Sequence, residues 1–335
     1  MIMAVAVSLH NLAAIAWVGG MFFAILVLRP AAGPLASKRR STRRARRERL
    51  EASWEFGVAA GPLPDSRPPL PDPPPPPPPP RPAVDPTLVD FAVQIAREAG
   101  ALTLRYFHQT DLAVETKGDG TPVTVADREA ERLLRDRIAE AFPDDSVVGE
   151  EVPDVAGTSG RTWILDPIDG TQSFIHGVPL YANLVALEDD YGPAVGVINV
   201  PGLDECVWAG RGRGCFVDGE PTRVGDRTDL QGACVVTSGV DYWPSAAALD
   251  AFVGNGAVIR TWGDAYGYVL VATGRADAMV DPIVSRWDVA PMLTILPEAG
   301  GLFCDLSGTF TAEGGDALAT NPALAPLVLA LIGRT

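Results

Sequence analysis

The sequence predicts a layered α/β or α+β domain, and three patterns point that way. Apolar residues recur at helical spacing over residues 85–100 and again over 124–142. From residue 163 onward, short β-rich runs follow at 163–165, 182–187, 194–200 and 205–209. Helical patterns return at 265–273, 288–299 and 322–331. Strand runs followed by helices stack as covered layers, because each element has an apolar face to bury. A chain of 335 residues with 47% apolar content can do this as one large domain or two small ones.

The first eighty residues stand apart. Residues 1–28 are almost continuously apolar, broken by Ser8, His10 and Asn11, and are long enough to cross a bilayer as a helix. A basic cluster follows, from Lys38 to Arg49, and would hold that side in the cytoplasm together with everything downstream. No positive residue precedes the apolar run, so a cleavable signal peptide fits less well. A membrane anchor and an accidental fusion or misread start both remain open. Residues 57–83 are dominated by proline, ending in the run 73–80, and read as an extended spacer or a plain disordered linker. The expected organisation is an apolar segment at 1–29, a basic and proline-rich linker at 30–83, and a compact domain at 84–335.

The net charge of −15 hides an asymmetry. Residues 1–81 carry eleven Lys/Arg and five Asp/Glu, or +6, which leaves −21 for residues 82–335. A domain that acidic excludes nucleic acid as a partner, since phosphate contacts need Lys and Arg. The four cysteines, Cys206, Cys215, Cys234 and Cys304, show no Cys-x-x-Cys spacing and read as reduced, mostly buried thiols of a cytosolic protein. Of the three histidines, His176 follows the acidic motif described below, where a structural role is favoured over substrate contact.

Taken in order, the first helix should begin at Asp85 and stop at Gly100, and the second should span 124–142 with charged outer positions. Trp163-Ile164-Leu165 reads as a buried strand that delivers Asp166 to its C-terminal end. Pro167 then forces a turn, and Gly170-Thr171 can open a helix whose free N–H groups face a phosphate. Alone, Asp-Pro-x-Asp-Gly reads first as a surface turn. The upstream pair Glu150-Glu151 and the distant Trp287-Asp288 favour a site instead. Carboxylates with no nearby Cys or His are hard oxygen ligands, suited to Mg²⁺ or Mn²⁺ rather than zinc. Acidic ligands beside an anion-binding helix start amount to phosphoryl-transfer chemistry.

Gly149-Glu150-Glu151, the run from Asp166 to Thr171, Trp287-Asp288 and Glu298-Ala-Gly-Gly301 together resemble the inositol monophosphatase family of metal-dependent phosphatases. The resemblance runs from about Val84 to the C-terminus. It implies a sandwich of five alternating α and β layers, with metals at the junction of its two halves. It also implies that Glu150, Asp166 and the carbonyl of Ile168 hold one Mg²⁺, that Asp166, Asp169 and Asp288 hold a second, and that a weaker third ion lies near Glu150. Asp127, which ends Gly120-Thr-Pro-Val-Thr-Val-Ala-Asp127, matches the family's upstream motif and would activate water with Thr171; on its own it reads as a helix N-cap. Gly170 and Thr171 would bind phosphate through their N–H groups. Glu151 would stand behind the ligands. A homodimer is the expected assembly.

Within the family the chain is most similar to histidinol-phosphate phosphatases, on residues 174–181, 262–268 and 280–288. Histidinol phosphate carries an ammonium and an imidazole, so its site should present extra carboxylates. Asp264 and Asp281 are the candidates, beside Asp288; each could equally be a cap or turn residue. Trp262, Tyr266 and Tyr268 could stack on imidazole or belong to the core. Inositol-1-phosphate or a broad range of sugar phosphates is the alternative substrate class. A membrane-tethered module with a degenerate phosphatase domain is the alternative from another class, and residues 9–23 resemble the first helix of copper-resistance D-type membrane proteins. No copper chemistry is assigned to His10.

Overall fold

The computed structural model describes residues 81–333, except 110, 111, 119 and 244. The expected apolar segment, basic cluster and most of the proline linker lie outside the described residues. Among the described residues, no helix is long and apolar enough to cross a membrane.

Helix α1 (Pro86–Thr103) starts where the sequence places it: Asp85 accepts the N–H of Thr87 at 3.0 Å, and Pro86 takes the first helical position. It does not stop at Gly100. A Cβ on Gly100 would lie 2.3 Å from Nδ2 of Asn199, so the glycine serves a close approach rather than a helix end. Asn199 donates to the Ala96 carbonyl and to Asn183, and Asn183 donates to the Pro167 carbonyl at 2.6 Å. This buried polar chain ties α1 to the strand bearing Asp166.

A hairpin of β1 (Val114–Thr116) and β2 (Pro122–Thr124) leads into α2 (Val125–Ala141). Then β3 (Ser146–Gly149), β4 (Thr162–Asp169), β5 (Ala182–Asp189), β6 (Gly192–Val200), β7 (Glu205–Gly210), β8 (Gly214–Val217) and β9 (Glu220–Pro221) form a seven-stranded sheet in chain order. Only β3 and β4 run parallel in it. The one-turn helix α3 (Thr171–Ile175) follows β4 directly. A second sheet, in the order β11-β10-β12-β14-β13, is built from β10 (Cys234–Val236), β11 (Val258–Arg260), β12 (Ala278–Asp281), β13 (Leu302–Cys304) and β14 (Ala317–Thr320). Between its strands come α4 (Ala246–Gly254), α5 (Ala265–Ala272), α6 (Arg286–Val289) and α7 (Met292–Glu298), and α8 (Ala325–Ile332) closes the chain. The single helix expected at 288–299 is two helices, because Pro291 lacks the N–H that would continue the first.

Period-2 alternation assigns the layers. Trp163, Leu165, Val185, Leu187, Val195 and Val197 pack against Ala92, Ile95, Leu134 and Ile138 of α1 and α2. Leu184, Ile198 and Val207, on the other face, meet Val269, Met292 and Ile295 of α5 and α7, which in turn meet Val236, Met279 and Ala319 of the second sheet. The far face of that sheet, with Val235, Ala278, Val280 and Leu318, rests on Phe252 of α4 and Val328 of α8. The result is the five-layer α-β-α-β-α sandwich. Trp163 is fully buried against Phe91 and Phe142, and its indole N–H donates to Asp145 at 2.9 Å, which fixes the start of β4.

The N-terminal edge is tied down. The Val84 N–H donates to the Arg211 carbonyl, Arg211 and Arg213 donate to the carbonyls of Pro82 and Val84, and Val84 is buried. A fragment beginning at Arg81 is therefore expected to unfold in one cooperative transition. Removing residues 81–85 costs the Val84 burial and the Asp85 cap, roughly 2–4 kcal/mol together, and should lower the melting temperature by roughly 5–15 °C. Thermal denaturation of the two fragments, followed by circular dichroism, makes the comparison.

Candidate active site

Strand β4 carries two of the acids, and an irregularity brings them together. In a regular strand Asp166 and Asp169, three residues apart, would point to opposite faces. Here Asp166 pairs with Leu184 and Asp169 with Ala182, so the register slips by one residue between them. The extra residue is a β-bulge around Pro167, which could not have donated to the ladder in any case. The turn expected at Pro167 is this bulge. One carboxylate oxygen from each of Asp166, Asp169 and Asp288 lies within 4.8 Å of the others.

Each acid spends one oxygen on a backbone N–H. Asp166 accepts from Ile168 at 3.0 Å, Asp169 from Ala265 at 2.5 Å, and Asp288 from Ser285 at 2.7 Å, where it completes the capping box of α6. Asp127 does the same at the start of α2. Its Oδ2 takes the N–H and hydroxyl of Thr124, at 2.8 and 2.6 Å, while Oδ1 is buried with no partner. Thr124, not Asp127, is the N-cap, and Asp127 is the third helical residue. Four carboxylates are thus fixed by the backbone with a second oxygen left over, which is the preorganisation a metal ligand or a base needs.

Glu150 is not one of the three acids whose oxygens converge, but it lies close enough to Asp166 to raise that carboxyl. Lys117, in the β1–β2 loop, reaches its Oε1 at 2.5 Å and also pairs with Glu151. Burial opposes the Lys117 charge, but the two glutamates outweigh it and hold the ammonium above its ordinary range. Sequence reasoning does not single out Lys117, since a lysine before Gly118 and Gly120 is ordinary in an exposed hairpin. The Thr171 hydroxyl donates to the Ile168 carbonyl at 3.1 Å, and that carbonyl keeps a lone pair for a second partner. Gly170 precedes α3 with φ 78°, a left-handed conformation that glycine adopts without strain.

So many buried carboxyls cannot all ionise. Burial, then Glu150, Asp169 and Asp288, push Asp166 well above the usual range; burial, then Asp264 and Asp288, do the same to Asp169. Burial pushes Asp127 and Asp288 up to about 6 and Asp281 up to about 8. An oxygen-only donor set of clustered acids, each penalised for its charge, fits a hard divalent cation, which removes that penalty.

A sequence profile described as the inositol monophosphatase family matches residues 85–334. The chain belongs to the inositol monophosphatase family. The histidinol-phosphatase of Chlorobaculum parvum is 43% identical over 250 residues, which cover 73% of this chain and 96% of that protein. The histidinol-phosphatase of Mycobacterium tuberculosis is 41% identical, over 71% of this chain and 95% of that protein. Among solved structures, the Thermotoga maritima IMPase superposes with a TM-score of 0.67 at 30% identity, over 74% of this chain and 97% of that one. The family is metal-dependent, and the acidic cluster described above is where this member could hold its metal.

The remaining candidates divide between site and core. Asp264 sits at the N-cap position of α5 with φ 50°, yet its side chain does not cap; its Oδ2 lies 3.1 Å from where a Cβ on Gly170 would stand. Asp281 ends β12, buried, rather than forming the surface turn that Asp-Pro suggests. Its Oδ2 accepts from Ser238 at 3.0 Å and from the Tyr268 hydroxyl at 3.4 Å, and its Oδ1 is buried without a partner. Ser238, another residue that sequence reasoning passes over, also accepts the Asp264 N–H at 2.9 Å and so links the two acids. Tyr268 is core; Trp262 is exposed beneath Arg260, and Tyr266 lies beneath Arg275. His176 is exposed with its ring on the Gln172 carbonyl. All four cysteines are free, three of them buried.

The raised carboxyls predict a pH dependence. In the metal-free folded state they bind protons at pH values where the unfolded chain has released them, so stability falls as pH rises. The fall begins near the ordinary value of 3.8 and runs to about 6 for Asp127 and Asp288 and about 8 for Asp281. In chelator, the melting temperature should be higher at pH 5.5 than at pH 8, and saturating Mg²⁺ should restore most of the difference. Thermal melts at the two pH values, with EDTA or Mg²⁺, test this; a flat metal-free profile would contradict the electrostatics.

Proposed function

We propose that this family member is a Mg²⁺-dependent phosphatase that hydrolyses L-histidinol phosphate to L-histidinol and phosphate, a step of histidine biosynthesis. The observation that carries the substrate assignment is the pair Asp264 and Asp281, joined through Ser238. Asp281 keeps one buried oxygen without a partner, in a site already rich in acids. A buried unpaired carboxylate oxygen is costly unless a cation or donor meets it, and the substrate's ammonium is such a partner. The two relatives at 41% and 43% identity, both histidinol-phosphatases, support the same reading.

Glu150, Asp166 and the Ile168 carbonyl would hold one ion, and Asp166, Asp169 and Asp288 a second. A third, weaker ion would sit near Glu150, and Mn²⁺ could replace Mg²⁺. Bound there, the ions supply neutralisation of the phosphate charge and electrostatic stabilisation of the attacking and leaving oxygens. The N–H groups of Gly170 and Thr171 bind phosphate oxygens directly; α3 is too short for its dipole to add much. Asp127, with its free Oδ1 and a carboxyl that burial pushes up to about 6, is suited to take the proton of the attacking water through Thr171. The protein acts in the cytoplasm as a homodimer in this reading, and residues 1–28 are at most a tether. The full acid set argues against a degenerate module.

The test is a comparison of kcat/KM on histidinol phosphate and inositol-1-phosphate. A preference for histidinol phosphate is expected. A preference for inositol-1-phosphate would replace the substrate and leave the phosphatase chemistry standing.

A further inference from the structure

Glu131 lies one helical turn beyond Asp127 on α2, and it is fully buried although the surrounding run Asp127-Arg-Glu-Ala-Glu-Arg reads as a solvated face. Its partners are all in the segment that carries Glu150. Oε2 accepts the Glu151 N–H at 2.7 Å, and Oε1 accepts the Val152 N–H at 3.2 Å together with Nε of Arg135 at 2.7 Å. Arg135 in turn donates to the carbonyls of Val152, at 2.7 Å, and Pro153, at 3.2 Å. Donors and acceptors of three consecutive residues after Glu150 are therefore gripped by one buried ion pair. The approach is close: a Cβ on Gly149 would stand 2.3 Å from Oε1 of Glu131 and 2.9 Å from Nη2 of Arg135.

We propose that Glu131, with Arg135, is a positioning residue that sets where Glu150 stands, and thereby the metal affinity of that side of the site, without touching ion or substrate. The inference rests on reading Glu150 as a metal ligand. Loops with few internal contacts hold a ligand loosely; this one has no regular structure between β3 and β4 apart from a single bridge at Val155, and besides the Lys117 ion pairs its grip next to Glu150 comes from the helix below. The same helix face then serves both parts of the site, with Asp127 at the reaction centre and Glu131 under the ligand loop.

The test is a Mn²⁺ titration of the metal-free full chain, following free Mn²⁺ by electron paramagnetic resonance, in wild type, Glu150→Gln, Glu131→Gln and Gly149→Ala. Glu131→Gln keeps the shape but weakens the grip, and Gly149→Ala pushes the same contact apart from the other side. Both are expected to weaken the class of Mn²⁺ site that Glu150→Gln weakens, by roughly tenfold to a hundredfold. In Glu131→Gln, kcat at saturating Mg²⁺ should recover to near wild type while the Mg²⁺ needed for half-activation rises by a similar factor. A lowered melting temperature with a wild-type isotherm would reduce Glu131 to a stability role and overturn the proposal. If Glu131→Gln does not fold, an unchanged isotherm for Gly149→Ala overturns it instead. An unchanged isotherm for Glu150→Gln would remove the ligand reading itself, and the proposal with it.

Discussion

Asp166→Asn is expected to lower kcat/KM by at least about a thousandfold, or roughly 4 kcal/mol of transition-state stabilisation. Asp166 is the acid proposed above to serve both ions, it is buried, and burial together with Glu150, Asp169 and Asp288 already opposes its charge. The amide keeps an oxygen to accept the Ile168 N–H that orients the side chain at 3.0 Å, so the bulge in β4 should survive. What disappears is the negative charge that a bridging ligand supplies. Because that charge is a burden on the metal-free fold, the variant should melt in chelator at the same temperature as wild type or higher. Inactivity combined with undiminished metal-free stability separates a ligand from a structural residue. Near-normal turnover by the variant at saturating Mg²⁺ would sink the metal assignment.

How much of this was legible beforehand follows from the length of each pattern. Helices α1 and α2 and strands β5, β6 and β7 are long and apolar enough to declare themselves. The strands of the second sheet show no pattern of their own; only the family resemblance implies that layer. Its strands are three or four residues each, and β12 and β14 use Ala278, Ala317 and Ala319, too short and too small to show a period. Gly100 read as a helix stop because the residue it nearly touches, Asn199, is far away in sequence. Asp166 and Asp169 were legible as a pair since they share one local motif, and the structure brings Asp288 to them. Their supports were not: Ala265 reaches Asp169 across 96 residues, Ser238 reaches Asp281 across 43, and Lys117 reaches Glu150 across 33. Glu131 shows the limit most plainly, since composition gives a charged helical residue to solvent and only the fold reveals that a loop has claimed both its oxygens.

Asp264→Asn and Asp281→Asn should weaken the use of histidinol phosphate by roughly tenfold to a hundredfold in kcat/KM. A desolvated charge-assisted hydrogen bond to the substrate's ammonium is worth on the order of 1.5–3 kcal/mol, and each amide would keep the geometry without the charge. At Asp264 the backbone, with φ 50° and ψ −153°, lies outside the left-handed helical region, and asparagine, the same shape as aspartate, meets only the strain the native residue already bears. At Asp281 the amide oxygen can still accept from Ser238. The two variants should differ in pH dependence. In the metal-free site burial pushes Asp281 up to about 8, so near pH 7 it must release a proton before it can pair with an ammonium, which offsets part of the gain. The loss caused by Asp281→Asn should therefore grow between pH 7 and pH 8.5. Hydrolysis of an aryl phosphate, which has no cation to pair, should change little in either variant. Measuring kcat/KM for both substrates in both variants at the two pH values decides the matter. Equal losses on the two substrates would mean that Asp264 and Asp281 serve the fold or the metals, and the reason for choosing an amine-bearing substrate would be gone.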